Sequence, residues 1–306
     1  MPLTQRPTVR ERLQQTLAQW RHWQCPQPLT GCPEVEGPLQ QGHSNPSFLV
    51  SCGQRFVVRL DGVDTRLNGI NRQAEWRILD AAHRSGLAPH PCYFNPDLGS
   101  LVCSYLPGDA PARFDPVATA GLLRRIHALP AVHQRLHLAE RIGRYARRLP
   151  REHAEWLAPA GQALSRLLAL TAGDRSPAVL CHNDLLRANR LLSGGRLYAL
   201  DWEYAAMGPP LYDLAVLMHG DDLPAAEARD LLQHYLGRPA DGSELALVTR
   251  YGCLYRYLEL LWHLVNAPPV HLGGDQPATA TPPPSAAFDP RHRLARLEAL
   301  LPEAEL

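Results

Sequence analysis

His182-Asn183-Asp184-Leu185-Leu186-Arg187-Ala188-Asn189, followed by Asp201, is the stretch on which the reading of this chain turns. Its pattern is HxDxxxxN, then an aspartate at the end of a strand-like segment, 197–200. A loop that sets Asp184 and Asn189 five residues apart, beside a strand ending in Asp201, can bring two carboxylates and an amide oxygen to one spot. Transfer of a phosphoryl group to an alcohol needs such a set. One carboxylate orients the hydroxyl and takes its proton, while an amide oxygen and a second carboxylate hold Mg²⁺ against the nucleotide phosphates.

Outward from this stretch, short apolar pieces at 178–181 and 190–192 flank the loop, and Gly194-Gly195 turns the chain into the 197–200 strand. Helical periodicity resumes near Pro210 and continues over 223–236 and 243–266. Upstream, 116–171 reads as helices broken at Pro130 and Pro150. Earlier still, Ser47–Ser51 and Arg55–Leu60 flank a Cys-Gly-Gln turn and read as a hairpin. A helix over 70–85 ends at Gly86, and two further strand-like pieces flank a turn at 95–99. The second, 100–105, stops at Pro107-Gly108. Residues 8–24 read as an amphipathic helix with Leu13, Leu17, Trp20 and Trp23 on one face; a Pro/Gly-rich stretch follows to about residue 38. Residues 267–290 are rich in Pro, Ala and Thr and read as a loop, and 292–301 as a last short helix.

HNDLLRAN resembles the catalytic loop of the kinase-like small-molecule phosphotransferases, the aminoglycoside phosphotransferase, choline/ethanolamine kinase and thiamine kinase family. Asp201-Trp202-Glu203-Tyr204-Ala205 resembles its metal-binding segment. The resemblance implies a two-lobed, protein-kinase-like α+β fold: a small β-rich lobe with a helix over residues 1–105, and a larger, mainly helical lobe over 106–306. It implies Asp184 as catalytic base, Asn189 and Asp201 as Mg²⁺ ligands, and His182 as a loop-shaping residue. Glu203 is either a metal or substrate contact or a cap of the following turn.

The nucleotide half follows in order. Leu39-Gln40-Gln41-Gly42-His43-Ser44-Asn45 resembles the family's phosphate loop, with Gly42, Ser44 and Asn45 as its nucleotide-binding positions. Arg59 stands where protein kinases place a strand lysine, and Glu75 would be its helix partner. The segment Ser104 to Leu106 resembles the hinge whose backbone meets the adenine edge. ATP and Mg²⁺ are therefore the expected cofactors, and a small-molecule alcohol the expected partner. Tyr255, Glu259 and Trp262 fall roughly on one helical face, and Trp202 and Tyr204 flank the metal segment. They are either core or the wall of a pocket for a cationic alcohol, choline-like or thiamine-like. An aminoglycoside or sugar acceptor, and a non-catalytic nucleotide-binding module, are the alternatives.

Composition agrees. All 31 basic residues are arginine, against 30 acidic residues, so any phosphate-holding cation must be a guanidinium. A net charge of +1 disfavours bulk nucleic-acid or membrane-surface binding. Seven scattered cysteines without a CxxC pair suggest neither a disulfide framework nor zinc. With no apolar leader or spanning segment, a cytoplasmic enzyme is expected.

Overall fold

The computed structural model describes residues 7–39, 44–110, 113–266 and 289–305. The expected 267–290 loop lies almost wholly outside them. The first part of the chain is built on an antiparallel sheet. Helix α1 (Val9–Ala18) opens with a capping box in which Thr8 and Glu11 satisfy each other's backbone amides. It ends sooner than its apolar pattern predicts. A 3₁₀ turn at Trp20–His22 follows, and Trp23 swings back against Phe56 and Tyr93. Strands β1 (Glu34–Leu39), β2 (Ser47–Ser51) and β3 (Arg55–Leu60) then form a meander. The short helix α2 (Thr65–Asn68) and the longer α3 (Arg72–Arg84) lead to β4 (Pro91–Asn95) and β5 (Ser100–Ser104). The sheet order is β1-β2-β3-β5-β4. Sequence reading missed β1 because its Gly37 and Pro38 signal a loop. As an edge strand with a register shift between Val35 and Gly37, it tolerates both.

The two-residue period of β3 sorts its side chains. Phe56, Val58 and Leu60 are fully buried and pack with Val50, Val102 and the α1 residues Leu13 and Leu17. Val57 and Arg59 therefore point to the opposite face, opposite Cys103 and Leu101 of β5. That face meets the second part of the chain.

The second part is mainly helical: α4 (Pro116–His127), α5 (Leu138–Ala146), α6 (Arg151–Thr171), α7 (Pro210–Gly220), α8 (Ala225–Leu236), α9 (Gly242–Asn266) and α10 (Pro290–Glu305). Two small antiparallel ribbons are embedded in it, β6 (Val179–Cys181) with β9 (Ala206–Gly208), and β7 (Arg190–Ser193) with β8 (Arg196–Ala199). Helix α7 is buried from Leu211 to Met218, an apolar run interrupted by Asp213. Helix α10 runs past Pro302, where a sequence reading stops. Packing carries it past the proline: Ala304 is fully buried and its carbonyl accepts Arg250 Nε–H at 3.0 Å. Among the described residues, no helix is long and apolar enough to cross a membrane. The result is the two-lobed α+β architecture expected from the sequence, a sheet with α3 set against a helical body.

Candidate active site

The face of the sheet bearing Val57 and Arg59 closes over the β7–β8 ribbon and leaves a cleft of about 390 Å³. Leu39, Val57, Leu101 and Cys103 form its apolar roof, and Leu191 and Leu200 its floor. Ser104, Tyr105, Leu106 and Gly108 line one edge; Arg59, Glu75, Asn189 and Asp201 lie at its polar end. After β5, Tyr105 still donates its amide to Arg55, but Leu106 has no backbone or side-chain hydrogen bond among the described residues. Its amide and carbonyl stand at the cleft edge as the groups a planar heterocycle could pair with.

The loop 182–189 is held from helix α7. The Asp213 carboxylate, fully buried, accepts the amides of His182 (2.8 Å) and Asn183 (2.7 Å), and His127 Nε2 lies 3.0 Å away. These donors keep Asp213 below the ordinary carboxylate range although burial opposes them. At the other end Asp221 accepts the Arg187 amide at 2.7 Å and pairs with Arg190 at 2.6 Å. The His182 ring is buried, donates Nε2–H to the Leu200 carbonyl at 3.0 Å, and packs on Trp202. Burial lowers its pKa to about 4, so it is neutral at pH 7. Asn183 (φ 63°) in this loop and Asp201 (φ 59°) beside it take the left-handed region that most side chains avoid.

Asp184 lies between the two ends of this loop. Asn189 Nδ2 donates at 2.8 Å both to its carbonyl and to its Oδ2. Burial, then the neighbouring carboxylates of Asp201 and Glu203, hold Asp184 well above the usual carboxylate range. Arg59 binds Asp201 with Nη1 and Glu75 with Nη2, so the expected strand-cation and helix-acid pair is present. No donor meets Asn189 Oδ1 or Asp201 Oδ2 among the described residues. These are hard oxygen ligands beside a cluster of carboxylates that raise one another's pKa. Such a donor set suits Mg²⁺ and would be relieved by it.

The structure separates the other expected residues. Gly42 lies outside the described residues. Ser44 and Asn45 do not line the cleft. Asn45 is buried, donating to Glu203 Oε2 at 2.9 Å and accepting the Gly62 amide at 3.0 Å, so its side chain staples the 44–46 segment to Glu203 and Gly62. Gly62 must be glycine here, because a Cβ would lie 2.1 Å from the Ser44 carbonyl oxygen. Gly62→Ala is expected to push the 44–46 segment outward and cost about 1–3 kcal/mol of stability, read from denaturant unfolding. Glu203 is neither open to solvent nor a simple cap: Arg72 Nη1 lies 2.8 Å from the same Oε2, and burial followed by Asp201 raises its pKa to about 7.

Of the aromatics read as core or acceptor pocket, Trp202 and Tyr255 go to the core. Trp262 donates Nε1–H to the Tyr204 hydroxyl at 3.0 Å, and Arg141 lies 5.1 Å above the Tyr204 ring. Glu259 pairs with Arg293 at 2.5 Å. Sequence reasoning missed Asp213 and Arg72. An acid inside the apolar run Leu211–Leu217 was a readable signal for the first. For Arg72, one arginine among 31, there was none.

Comparison with known proteins agrees with this geometry. LicA of Haemophilus influenzae is 42% identical over 55 residues, 18% of this chain and only 21% of that protein. Thiamine kinase of Escherichia coli is 31% identical over 188 residues, 58% of this chain and 64% of that one, so this chain covers less than two thirds of either relative. A crystal structure of a choline/ethanolamine kinase family protein from Mesorhizobium loti superposes with a TM-score of 0.68 at 26% identity, covering 96% of this chain and 97% of that one. LicA in complex with AMP shares the fold at a TM-score of 0.75 and 22% identity, over 97% and 100% of the two chains. Residues 37–247 match the model of the phosphotransferase enzyme family, and the chain belongs to that family.

Proposed function

We propose that this protein transfers the γ-phosphoryl group of ATP to the hydroxyl of a small metabolite, a choline-like or thiamine-like alcohol. The observation that carries the reading is the meeting of Arg59, Asn189 and Asp201 at the polar end of one apolar-roofed cleft, with Asp184 hydrogen-bonded to Asn189 behind them. In this reading residues 1–105 bind the nucleotide and 106–306 supply the catalytic loop and the acceptor side. The adenine lies between Val57 and Leu191 with its edge at Ser104 to Leu106, and Arg59 holds phosphate oxygens. Asn189 and Asp201 would hold Mg²⁺, which supplies charge neutralisation between the phosphates. Asp184 orients the acceptor hydroxyl and takes its proton as the new O–P bond forms. The Asn189 amide fixes which carboxylate oxygen is turned to the acceptor.

Similarity to a choline/ethanolamine kinase family protein and to thiamine kinase supports an alcohol on a cationic or heteroaromatic body, for which the hydrogen-bonded Tyr204–Trp262 pair would be an aromatic wall. The test is ADP release from Mg·ATP with choline, ethanolamine, thiamine, sugars and aminoglycosides. Turnover with choline or thiamine is expected. Turnover confined to sugars or aminoglycosides would overturn the acceptor, and nucleotide binding without turnover on any of them would favour a binding module.

A further inference from the structure

Arg72 makes a connection that the family reading does not use. It is the first residue of α3, directly after the Asn71 cap, and its side chain is 9% exposed. Its guanidinium meets three carboxylates from three segments. Nη2 lies 2.7 Å from Asp61 Oδ1, just past the end of β3. Nη1 lies 2.7 Å from Glu75 Oε2, one turn along α3, and 2.8 Å from Glu203 Oε2, two residues past Asp201. The Glu75 and Glu203 side chains are 3% and 1% exposed. The two oxygens of Glu75 are therefore divided: Oε1 takes Arg59 and Oε2 takes Arg72.

This division has a physical consequence. A carboxylate held by one guanidinium can rotate about its terminal bond and follow its partner. One held on both oxygens by two guanidinia is fixed in plane and direction. Arg59 is itself shared between Glu75 and Asp201, so its position in the cleft depends on where Glu75 is held. Arg72 also carries the link across the cleft. Asp61, Glu75 and Asn45 belong to the sheet part, and Glu203 to the helical part, where Asn45 and Arg72 meet its one oxygen together. Asp61, Glu75, Asp201 and Glu203 would together carry four negative charges. Arg59 and Arg72 each pair with more than one of them. Burying such a set without its second cation would be strongly unfavourable.

We propose that Arg72 is a positioning residue for phosphoryl transfer: by clasping Glu75 and Glu203 it sets Arg59 over the nucleotide phosphates and holds the sheet part closed on the Asp201 segment. The proposal rests on the phosphotransferase reading above. Arginine suits the task because its planar guanidinium reaches two hydrogen-bond acceptors and a third carboxylate at ion-pair distance, which a lysine ammonium on a flexible stem does not do with the same geometry.

The experiment compares the full-length wild type with Arg72→Met, Arg72→Lys and Glu203→Gln, each first shown by thermal unfolding to be folded. Mg·ADP affinity is measured by calorimetry, and kcat and both KM values by ADP release. Arg72→Met is expected to weaken Mg·ADP about tenfold or more and to lower kcat, with the acceptor KM within about twofold of wild type. Arg72→Lys should recover part of the nucleotide affinity. Glu203→Gln, which removes one carboxylate and keeps the side-chain size, should shift Mg·ADP affinity in the same direction by less, and it carries the test if Arg72→Met does not fold. Mg·ADP affinity unchanged in both Arg72→Met and Glu203→Gln would overturn the proposal. So would a uniform loss in nucleotide affinity, acceptor KM and kcat that follows the fraction folded, the mark of a residue that only maintains the fold. A wild-type protein that binds no Mg·ADP would fail earlier and differently, overturning the phosphotransferase reading and the proposal with it.

Discussion

Asp184→Asn is expected to lower kcat by about a hundredfold to ten-thousandfold while Mg·ADP affinity stays within about threefold of wild type. The substitution is nearly isosteric, so the Asn189 amide and the loop anchors on Asp213 and Asp221 stay in place. What is lost is the carboxylate that, in the proposed function, accepts the acceptor's proton. The pH profile gives a second readout. Burial and the carboxylates of Asp201 and Glu203 raise the Asp184 pKa, so its ionised fraction, and with it the rate, increases as pH climbs through that raised value. The acid limb of kcat/KM should therefore lie above the usual aspartate range in the wild type and be missing in the variant. Retention of full activity by Asp184→Asn would remove Asp184 from the chemistry.

Asp201→Asn carries the second large effect. Asparagine tolerates the left-handed backbone at this position, so the change removes charge with little strain. Arg59 keeps Glu75 as its partner. A metal that neutralises phosphate charge supplies several kcal/mol, so activity is expected to fall about a thousandfold or more at fixed magnesium, and the magnesium titration to shift to higher concentration. An unchanged magnesium midpoint would show that Asp201 is not a ligand.

Much of the fold was legible because it is written in local signals: the alternation of Phe56, Val58 and Leu60, the glycine turn at 194–195, and the helical period on either side of the 182–189 loop. The order of Arg59, Glu75, Asp184, Asn189 and Asp201 along the chain also foretold which residues meet. The misreadings have one cause. Gly37 and Pro38 in β1, the early end of α1 and the continuation of α10 past Pro302 were decided by what those segments pack against, which local preference does not encode. Within the site, Asn45 was expected to face the nucleotide because the segment Leu39 to Asn45 resembles the family's phosphate loop. Its side chain instead satisfies Glu203, a partner 158 residues away. Arg72 was invisible for the same reason, since its three carboxylate partners are gathered only by the fold.

The identity of the cation at Arg59 bears on how such a protein can be detected. Reactive nucleotides that acylate an amine beside the phosphates need a lysine, and this chain has none. A proteome survey based on that chemistry would pass over this cleft even with the nucleotide correctly seated. A guanidinium-directed dicarbonyl would instead have Arg59 as its target in the cleft, and a bound nucleotide would be expected to shield it.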